Sequence, residues 1–506
     1  MFNTLEFILQ LLIIAFCMVI LYTRARYFTH MVQQLGYIPS EYRQWLKDNP
    51  KRAYTFKKDN DIAKKPLVMT PRATRLLVTQ LVIDFLILFI FPIVYIAFKP
   101  SDMGLLFIII AMIFVALMLF FYHAIIMAIA LYIINPYEKL VHRKFFKQAQ
   151  TKVNQLKLMG LKVIAITGSY GKTSTKQILY QMIKDKVKTY SSPESYNTPM
   201  GLSKIINNEL DESYQYFIAE MGARYTGEIE ELVRLVSPDI GVITNIGPCH
   251  LETFGSMENI IKTKFELADG VINKSLILNF ESDEIRHEAE RRGLISEDYV
   301  ETIGLNYGDL RAEVVEVSDE GTKFNILFKD ELLEAYTKLL GSHNILNILM
   351  ATKVALKIGM SHDEIIKAIS ELEQIEHRLN LVKNPNGVIV IDDAFNSNPS
   401  GARAALNVLH SFKGGKKIIV TPGMVELGEA QYNENYMLGK EIANNSDISI
   451  IVGNVNRDAL SNGIDEIKNS HKKYLADDLN AATSILSTIL ERGDVVLFEN
   501  DLTDIY

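Results

Sequence analysis

The sequence predicts a three-part α/β protein: three N-terminal transmembrane helices, then a P-loop parallel-sheet ATPase domain, then a smaller Rossmann-like α/β C-terminal domain. Three observations predict this class. Long apolar runs lie before residue 150, strand-like and helix-like stretches alternate after it, and a glycine-rich loop, TGSYGKTS, joins the first such strand to a helix. The expected boundaries are 1–150 for the membrane domain, 151–382 for the central domain and 383–506 for the C-terminal domain.

The composition sets limits on the partners and the compartment. At 506 residues the chain is long enough for about three domains, and its formal charge is -7 with a pI near 5.9. Because the phosphates of nucleic acids bind basic surfaces, this charge argues against nucleic acid as a partner. The two cysteines, Cys17 and Cys249, cannot form a disulfide scaffold, and this cysteine usage favours a reducing compartment.

Three apolar runs, at residues 5–22, 76–98 and 104–134, are each long enough to cross a hydrocarbon core of about 30 Å. A cleaved signal peptide is the alternative for the first run, but it lacks a basic leader and a small-x-small site, which favours an anchor. The segment from Arg24 to Arg75 carries twelve Lys and Arg against four Asp and Glu, and KLVHRKFFK follows the third run. By the positive-inside rule the N-terminus is outside, the chain crosses three times and the C-terminal part is cytoplasmic.

Two features of this membrane region carry further expectations. The third run is longer than one crossing needs, which predicts a tilted helix or a helix that continues along the interface. Within it, His123 is expected to make a structural hydrogen bond to a neighbouring helix, with a transport role as the alternative. The basic segment, with Tyr42, Trp45 and Tyr54, is suited to lie against anionic head groups.

After residue 150 the pattern is that of a parallel α/β sheet. Short apolar runs separated by helical stretches predict its strands: LKVIAIT, YQYFIAEMG, DIGVITNIG and KSLILNF. Residues 301–340 predict a small β-rich subregion with polar turns. Beyond Arg378 the runs VIVIDDA, KIIVTPG, ISIIVG and DVVLFEN again alternate with helical stretches, which predicts the second, smaller α/β domain.

The loop TGSYGKTS has the residues of a phosphate-binding loop. A strict Walker A motif has a glycine where this chain has Ile166, so the shorter form of the motif is present. Loop glycines let backbone N–H groups close on phosphate oxygens, Lys172 neutralises phosphate charge, and Thr173 or Ser174 supplies a hydroxyl for Mg²⁺. A glycine-rich turn beside a lysine is the structural alternative. The candidate nucleotide-binding residues of this loop are Gly168, Ser169, Gly171, Lys172, Thr173 and Ser174.

Other motifs narrow the choice, since the loop alone also fits a kinase, a GTPase or a transport ATPase. Six stretches occur in order and at domain-scale spacing: TGSYGKTS, AEMGARYTGEI, TNIGPCHLETFGSMENIIKTKFEL, GSHNILNILMA, EHRLNLV and DDAFNSNP. Together they resemble the Mur ligase family over about residues 160–506. The last stretch most resembles the MurF branch, which joins D-alanyl-D-alanine to a UDP-muramoyl tripeptide.

The resemblance implies a membrane-anchored, ATP-dependent amide ligase in cell-wall or envelope precursor synthesis. In such a ligase a carboxylate attacks the γ-phosphate of ATP, and an amine then displaces phosphate from the acyl phosphate. The implied cofactors are ATP, two Mg²⁺ ions and a carbamylated Lys264. The implied partners are the lipid bilayer, an envelope precursor that supplies the carboxylate, an amino acid or short peptide that supplies the amine, and other cell-wall enzymes. The implied location is the bacterial cell membrane, with catalytic domains in the cytoplasm.

Four residues match family positions around the metal and the γ-phosphate. Glu220 and His250 each follow a predicted strand, so they are expected at the carboxyl edge of the sheet, where Mg²⁺ and phosphates bind. Lys264 matches the lysine that reacts with CO₂ and becomes an oxygen ligand for a second metal ion, and Asn197 matches a polar residue near the first. The structural alternatives are a strand-ending glutamate, a surface lysine beside Lys262 and a turn asparagine. The candidate metal ligands are Thr173, Glu220, His250 and Lys264, and the candidate catalytic residues are Lys172, Asn197, His250, Lys264 and Arg378.

The remaining motifs match nucleotide contacts of the family. Asn344 and Asn347 begin a helix where the family uses an asparagine for the adenine edge, with helix capping by Asn344 as the alternative. Arg378 matches an arginine that reaches the phosphates and would stabilise the transferred phosphoryl group. Of Asp392 and Asp393, one is expected at the ribose, with a turn formed with Asn396 and Asn398 as the alternative. These contacts come from two domains, so domain closure is expected to assemble the site.

Two departures from the family pattern leave the substrates open. The family's soluble enzymes hold the UDP-sugar with an N-terminal domain, whose place a membrane domain takes here. The chain end, GDVVLFENDLTDIY, lacks the KGSR-like stretch expected near an incoming dipeptide, and TPGMVELG replaces a glycine-aspartate strand end. The sequence identifies neither the carboxylate nor the amine, nor whether the acceptor is lipid-linked or UDP-linked.

Two other functions are alternatives to the ligase. A catalytically inactive nucleotide-binding scaffold for envelope enzymes is disfavoured by the intact Lys172, Glu220, His250 and Lys264. An ATP-driven transporter is disfavoured because three helices offer little pathway and no ABC-type signature follows the loop.

Overall fold

The computed structural model of the chain divides into two compact units, residues 1–144 and residues 145–502. The described residues are 4–55, 66–97, 105–193, 196–272, 274–318, 320–328, 331–384, 386–394, 397–467 and 471–500. The last six residues of the GDVVLFENDLTDIY stretch therefore lie outside the described part of the chain.

The first unit is helical. Its helices are α1 (Thr4–Gln34), α2 (Pro39–Asp48), α3 (Pro50–Tyr54), α4 (Pro71–Ala97), α5 (Leu105–Phe121) and α6 (His123–Leu158), the last of which continues into the second unit. Within the described residues three segments are long and apolar enough to cross a membrane: Ile8–Gln34, Pro71–Ile90 and His123–Leu158. Three apolar helices that could span a membrane are therefore present, as the sequence predicted, although the third does not coincide with the third apolar run. Their direction across a bilayer stays a prediction.

The third apolar run is not one helix, which corrects the expectation of a single oversized span. It divides at Tyr122 into α5 and α6, although no glycine or proline marks the position. At the start of α6 the fully buried His123 places its Nε2 2.9 Å from Asp84 Oδ2 of α4. An unpaired ionisable group in an apolar region is costly, so a break that brings the imidazole to its partner is favourable. The expected structural hydrogen bond of His123 is confirmed.

The aromatic side chains of the basic segment form part of the core of this unit. Tyr42 has no exposed surface and donates its hydroxyl to Ala124 O at 3.1 Å, and Trp45 is 4% exposed and stacks against it. Tyr54 is half-buried. The expectation that these rings lie against lipid head groups is therefore wrong for Tyr42 and Trp45, because packing against α1 and α6 residues such as Phe28 and Met127 buries more apolar surface.

The second unit contains a nine-stranded sheet of order β2-β3-β1-β4-β5-β6-β7-β8-β9. The sheet is parallel from β2 to β7 and antiparallel from β7 to β9, which matches the predicted α/β sheet and its β-rich extension. Its strands are β1 (Lys162–Thr167), β2 (Thr189–Ser191), β3 (Tyr216–Glu220), β4 (Ile240–Ile243), β5 (Leu276–Asn279), β6 (Val300–Gly304), β7 (Leu310–Ser318), β8 (Gly321–Phe328) and β9 (Glu331–Thr337).

Helices cover both faces of this sheet. Val163 and Ala165 of β1 pack into one core, while Ile164 and Ile166 pack into the other. Burial on both faces is the reason that the strands read as continuous apolar runs rather than as alternating patterns. The helices are α7 (Lys172–Ile183), α8 (Pro199–Asn208), α9 (Glu228–Val236), α10 (Leu251–Phe254), α11 (Met257–Gly270), α12 (Asp283–Arg291), α13 (Ser342–Ile358) and α14 (His362–Ser370).

A six-stranded sheet of order β10-β11-β15-β12-β13-β14 follows, antiparallel at β10 and parallel elsewhere. All four strands expected beyond Arg378 are present. The strands are β10 (Asn380–Lys383), β11 (Ile389–Asp393), β12 (Lys417–Thr421), β13 (Ile448–Val452), β14 (Lys472–Ala476) and β15 (Val495–Glu499). The helices are α15 (Pro399–Ser411), α16 (Gln431–Asn445), α17 (Arg457–Ile467) and α18 (Leu479–Ile489).

Candidate active site

The phosphate-binding loop runs between the end of β1 and the start of α7. Gly168 has a φ of 150° and Gly171 a φ of 78°, a region that favours glycine. A Cβ at Gly168 would clash with Thr244 Oγ1, and one at Gly171 would lie 2.8 Å from Asn347 Oδ1. The loop therefore approaches its neighbours so closely that only glycine fits. Its chain turns into the N-terminus of α7, where first-turn backbone N–H groups can bind an anion.

Lys172 folds back over this loop. Its Nζ donates to Gly168 O at 2.7 Å and to Ser169 O at 2.9 Å, while the Ser169 N–H donates to Asn245 O at 2.6 Å. Burial lowers the pKa of Lys172, and the positive charge of Arg378 lowers it further. The amine is thus held at the loop by carbonyl oxygens, and a phosphate would be a stronger, charged partner for it.

The carboxylate of Glu220, at the end of β3, contacts three side chains. Its Oε1 accepts from Thr173 Oγ1 at 3.2 Å and from Asn197 Nδ2 at 3.1 Å, and its Oε2 forms an ion pair with Lys176 Nζ at 2.9 Å. Glu220 is 1% exposed, and burial alone would raise its pKa, but the charges of Lys176 and Lys172 and the Asn197 hydrogen bond lower it. The structure therefore brings together an ionised carboxylate, a hydroxyl and an amide beside the phosphate-binding loop.

These groups have the donor chemistry of a magnesium site. Mg²⁺ bound with nucleotides usually takes one or two protein oxygens and completes its shell with water and phosphate oxygens. Thr173 and Glu220 supply two such oxygens, and no cluster of three or more His, Cys, Asp or Glu that could hold a metal occurs among the described residues. Ser174, the other hydroxyl candidate, is 7% exposed within α7. The fit favours Thr173 and Glu220 as the protein ligands.

Lys264, on α11, is buried rather than on the surface. Its side chain is 1% exposed, and its Nζ lies 5.8 Å from the centroid of the Phe254 ring. Burial lowers the pKa of Lys264 to about 8, with a further contribution from the charge of Lys172. The alternative of a surface lysine is thereby excluded, since it is the neighbouring Lys262 that is exposed. An amine with this pKa has a substantial neutral fraction near neutral pH.

His250 begins the short helix α10 in a left-handed conformation, with a φ of 49°. Its Nδ1 hydrogen-bonds to Glu426 Oε2, and Glu426 Oε1 accepts from Arg224 Nη2 at 3.0 Å. The backbone N–H of Leu251 also donates to Glu426 O at 3.1 Å. Burial would raise the pKa of Glu426, but His250 and Arg224 lower it. A loop of the C-terminal domain thus contacts the segment that carries His250, and we call this contact the Glu426 clasp. Because Nδ1 is hydrogen-bonded, Nε2 is the nitrogen that remains for another ligand.

Asn344 and Asn347, near the start of α13, are buried in a hydrogen-bonded chain. Asn344 Nδ2 donates to Leu340 O at 2.9 Å, Asn347 Nδ2 donates to Asn344 Oδ1 at 3.2 Å, and Asn347 Oδ1 accepts from Thr175 Oγ1 at 3.1 Å. Asn344 does not cap α13, whose N-cap residue is Gly341. In this structure the two amides tie α13 to α7 immediately behind the phosphate-binding loop.

Arg378 lies at the junction of the two domains, between two non-glycine residues in left-handed conformations, His377 (φ 57°) and Leu379 (φ 49°). Burial raises the pKa of Asp393 to about 6, against the opposing charge of Arg378. The same positive charge lowers the pKa of Lys172. The charge of Arg378 thus acts on both Lys172 and Asp393.

The two acids at the end of β11 are held by the junction segment. Asp392 Oδ2 lies 2.7 Å from His377 Nδ1, and the Leu379 N–H donates to Asp393 Oδ1 at 3.3 Å. Of the asparagines expected to form a turn with them, Asn396 lies outside the described residues. Asn398 instead caps α15, since its Oδ1 accepts from the backbone N–H of Gly401, the third residue of that helix, at 2.8 Å.

Two parts of the chain match the domains of a known family. Residues 166–355 match the Mur ligase middle domain, and residues 377–499 match the Mur ligase glutamate ligase domain. The UDP-N-acetylmuramoyl-tripeptide--D-alanyl-D-alanine ligase of Mycobacterium bovis is 31% identical over 374 residues, 69% of this chain and 72% of that protein.

The chain belongs to the Mur ligase family.

Solved structures place this Mur ligase beside the MurF enzymes. MurF from Acinetobacter baumannii has a TM-score of 0.64 and 27% identity over 71% of this chain and 77% of its own. A Thermotoga maritima MurF ligase in complex with ADP has a TM-score of 0.63 and 27% identity over 71% of this chain and 80% of its own. The corresponding Bacillus subtilis ligase is 30% identical, but the match spans only 59% of its length and 54% of this chain. The expected α/β fold and the enzyme class, ATP-dependent carbon–nitrogen ligases, are confirmed at the level of the family.

Two residues of this Mur ligase site were missed from the sequence. Lys176 lies one helical turn after Lys172, so its position on the same face of α7 was a readable signal. Glu426 lies in TPGMVELG, a stretch noted only for its departure from the family pattern, and its partner His250 is 176 residues away. No local pattern signals such a long-range pair.

Proposed function

We propose that this Mur ligase is a membrane-anchored, ATP-dependent amide ligase that activates a carboxylate as an acyl phosphate and couples it to the amine of an amino acid or short peptide. The observation that carries the proposal is the site around Glu220, where Thr173 and Asn197 meet beside the phosphate-binding loop that Lys172 covers. Family membership supports the same chemistry.

The roles follow from the positions of the side chains. Lys172 leaves its carbonyl partners and neutralises the β- and γ-phosphates, and Arg378 approaches the transferred phosphoryl group from the domain junction. The acceptor carboxylate attacks the γ-phosphorus, so that an acyl phosphate and ADP form. The amine nitrogen then attacks the acyl carbon, phosphate leaves, and the amine loses one proton, which gives the amide.

Two groups assist these steps. Mg²⁺, held by Thr173 and Glu220, would supply charge neutralisation on the phosphates when bound. We assign carbamylation to Lys264: its neutral amine adds to CO₂, one proton is released, and the product is a carbamate that offers oxygen ligands in place of a cation. We assign His250 to the same metal region, with Nε2 as the ligand nitrogen because Glu426 is hydrogen-bonded to Nδ1.

The remaining candidates serve the nucleotide. One of Asn344 and Asn347 is assigned to the edge of adenine. Their hydrogen bonds also keep α13 against α7 behind the phosphate-binding loop. Asp392 or Asp393 is assigned to the ribose from the side of the C-terminal domain. Because these contacts come from two domains, closure of one domain on the other completes the site.

The acceptor is proposed to be a membrane-associated envelope precursor such as a lipid-linked peptide. The family matches begin at residue 166, and apolar helices precede them. Anchoring brings no advantage for a freely diffusing substrate, but it raises the effective concentration of a lipid-linked one. The amine is then held by the C-terminal domain. The plain alternative is that the helices only localise an ordinary ligase.

The test supplies the full-length protein with ATP, membrane lipid extract and a panel of amino acids and dipeptides, and identifies products by mass spectrometry. A ligase yields a species with the mass of acceptor plus amine minus one water, with one ADP per amide, and Lys172→Ala yields none. Absence of any such species with every acceptor, UDP-linked ones included, contradicts the ligase. Full activity on soluble UDP-muramoyl peptides by a chain that starts near residue 150, with no gain from lipid-linked acceptors for the intact protein, contradicts the lipid-linked acceptor.

A further inference from the structure

A cavity of about 590 Å³ lies beside the phosphate-binding loop, between α7 and the edge strand β2. We call it the lysine groove and define it by Lys176, Tyr180 and Lys184 of α7 and its end, Lys188 and Tyr190 of the β2 segment, and Tyr214 before β3. Its volume lies in the range of about 300–1,000 Å³ typical of ligand pockets. None of the roles assigned above uses it apart from the Lys176 contact to Glu220.

The groove is positively charged and rich in donors. Of the eleven described residues that line it, three are lysines, three are tyrosines and none carries a carboxylate. Lys184 and Lys188 are exposed, and no ion pair involves either among the described residues. Two acidic groups beside the groove are already engaged: Glu220 pairs with Lys176, and Glu209 accepts from the Tyr190 hydroxyl at 2.6 Å. An oxyanion is the ligand that this arrangement favours.

Aromatic packing orders one wall of the groove, which we call the tyrosine wall. The Tyr190 and Tyr214 rings meet edge to face with centroids 5.3 Å apart, and Lys188 Nζ lies 5.3 Å from the centroid of the Tyr214 ring. The cation is therefore held against a ring wall rather than swinging freely. Such a wall offers an apolar surface for the uncharged part of a ligand, such as a sugar ring.

Lys176 joins the groove to the phosphate-binding loop. It is 2% exposed and lines the groove, and its Nζ forms an ion pair with Glu220 Oε2 at 2.9 Å. Lys184 lies eight positions after Lys176, which is about 12 Å along a helix. One end of the groove thus meets the residues around Glu220, and the other end lies about 12 Å away.

The geometry points to the lysine groove as the site for a phosphate or pyrophosphate group of the acceptor, an inference that rests on the proposed ligase function. Lys184 and Lys188 bind the phosphate group, the tyrosine wall packs against the intervening sugar or peptide, and the acceptor carboxylate passes Lys176 to reach the phosphate-binding loop. The groove thereby supplies a phosphate site within the central domain itself. A nucleotide-linked and a lipid-linked acceptor share this chemistry.

The first test uses the full-length protein in lipid nanodiscs and inorganic pyrophosphate as the probe. ADP at saturation occupies the phosphate-binding loop, and pyrophosphate is titrated by calorimetry. We expect the double variant Lys184→Gln/Lys188→Gln to bind at least about tenfold more weakly than the wild type, because both charges that face the ligand are lost. The matched control is Lys186→Gln, since Lys186 lies between the two but pairs with Glu364 outside the groove. Failure of the wild type to bind pyrophosphate, or equal binding by the double variant, overturns the assignment whether or not ligase activity is found.

The second test separates the two sources of the phosphate group. With each acceptor class, the double variant is expected to raise KM for the acceptor about tenfold while kcat and KM for ATP stay within about twofold of the wild type. A rise with the lipid-linked acceptor alone assigns the group to the lipid, and a rise with the UDP-linked acceptor alone assigns it to the nucleotide. Unchanged KM for both acceptors overturns the inference. If no acceptor is turned over by the wild type, the ligase proposal fails, and the pyrophosphate titration alone decides the groove.

Discussion

The chemical state of Lys264 gives the sharpest test of the proposed mechanism. Carbamylation requires the neutral amine, and burial together with the charge of Lys172 lowers the pKa of Lys264 to about 8 from its ordinary value of 10.5. At pH 7 roughly one tenth of such amines are neutral, about 300-fold more than for an ordinary lysine. The neutral fraction rises about tenfold per unit of pH below 8 and levels off above it. Activity limited by carbamylation is therefore expected to rise from about pH 6 to about pH 8 and to depend on CO₂.

The perturbation is to remove this amine while keeping the packing. Lys264→Met keeps the length of the buried side chain, and we expect ADP formation to fall about 100-fold, as is typical when the support of a metal site is lost. The Lys264→Ala variant should lose ADP formation to the same extent. A short-chain carboxylate in the buffer should restore part of the activity of this variant by entering the space that the lysine side chain leaves. Lys262→Ala is the matched control, because Lys262 is exposed on the same helix.

The assay is ADP release measured in buffer depleted of CO₂ and again after addition of bicarbonate. The wild type should lose activity on depletion and regain it with bicarbonate, whereas Lys264→Met should not respond. Wild-type-like activity of Lys264→Met or Lys264→Ala at low CO₂ would refute the reasoning and make Lys264 a buried structural lysine. Circular dichroism of each variant establishes that the fold is retained.

Three further outcomes are expected. Lys172→Ala should abolish ADP formation while the protein stays folded by circular dichroism, and undiminished turnover would reject the assignment of the loop. Glu426→Gln removes the negative charge that holds His250 and should lower kcat/KM about tenfold. The control is Glu441→Gln, at a surface pair with Arg403, which should leave kcat/KM unchanged. Equal kcat/KM for the two variants contradicts a role of the Glu426–His250 contact in activity. Burial raises the pKa of Glu499 to about 7 from 4.5, so its stabilising contribution is fully present below pH 4.5 and is lost as pH rises through 7. Glu499→Gln should therefore raise the free energy of unfolding at about pH 8 by about 1–3 kcal/mol and leave it unchanged at about pH 4. Hydrogen exchange of the β15 amides measures this free energy. A difference between variant and wild type that does not depend on pH contradicts the burial argument.

The sequence predicted the parts of the site that depend on strand ends. Parallel strands buried on both faces read as apolar runs, so the carboxyl edge of the sheet, with the phosphate-binding loop and Glu220, was accessible from the pattern alone. The three-residue strand β2 was not predicted, because so short a run carries no periodic signal, and the groove beside it was missed with it.

The features of the fold and of the site that depend on tertiary packing could not be predicted from the sequence. The burial of Lys264 is set by the elements packed on α11, and its neighbour Lys262, two positions away, is exposed. The division of the third apolar run at Tyr122 has no local signal and follows from the partner that His123 finds on α4. The clasp of Glu426 on His250 joins two domains, so it exists only once both have folded.

The two left-handed residues on either side of Arg378 limit how the proposed domain closure takes place. A non-glycine residue has only a small left-handed basin, separated by a barrier from the extended and right-handed ones. A linker made of such residues does not bend through a continuum of backbone angles as a glycine hinge does. It moves between a few discrete backbone conformations, each with its own lifetime. Leu379→Gly keeps the backbone N–H that donates to Asp393 Oδ1 and removes the barrier of the left-handed basin, so it would change those lifetimes while leaving that contact in place.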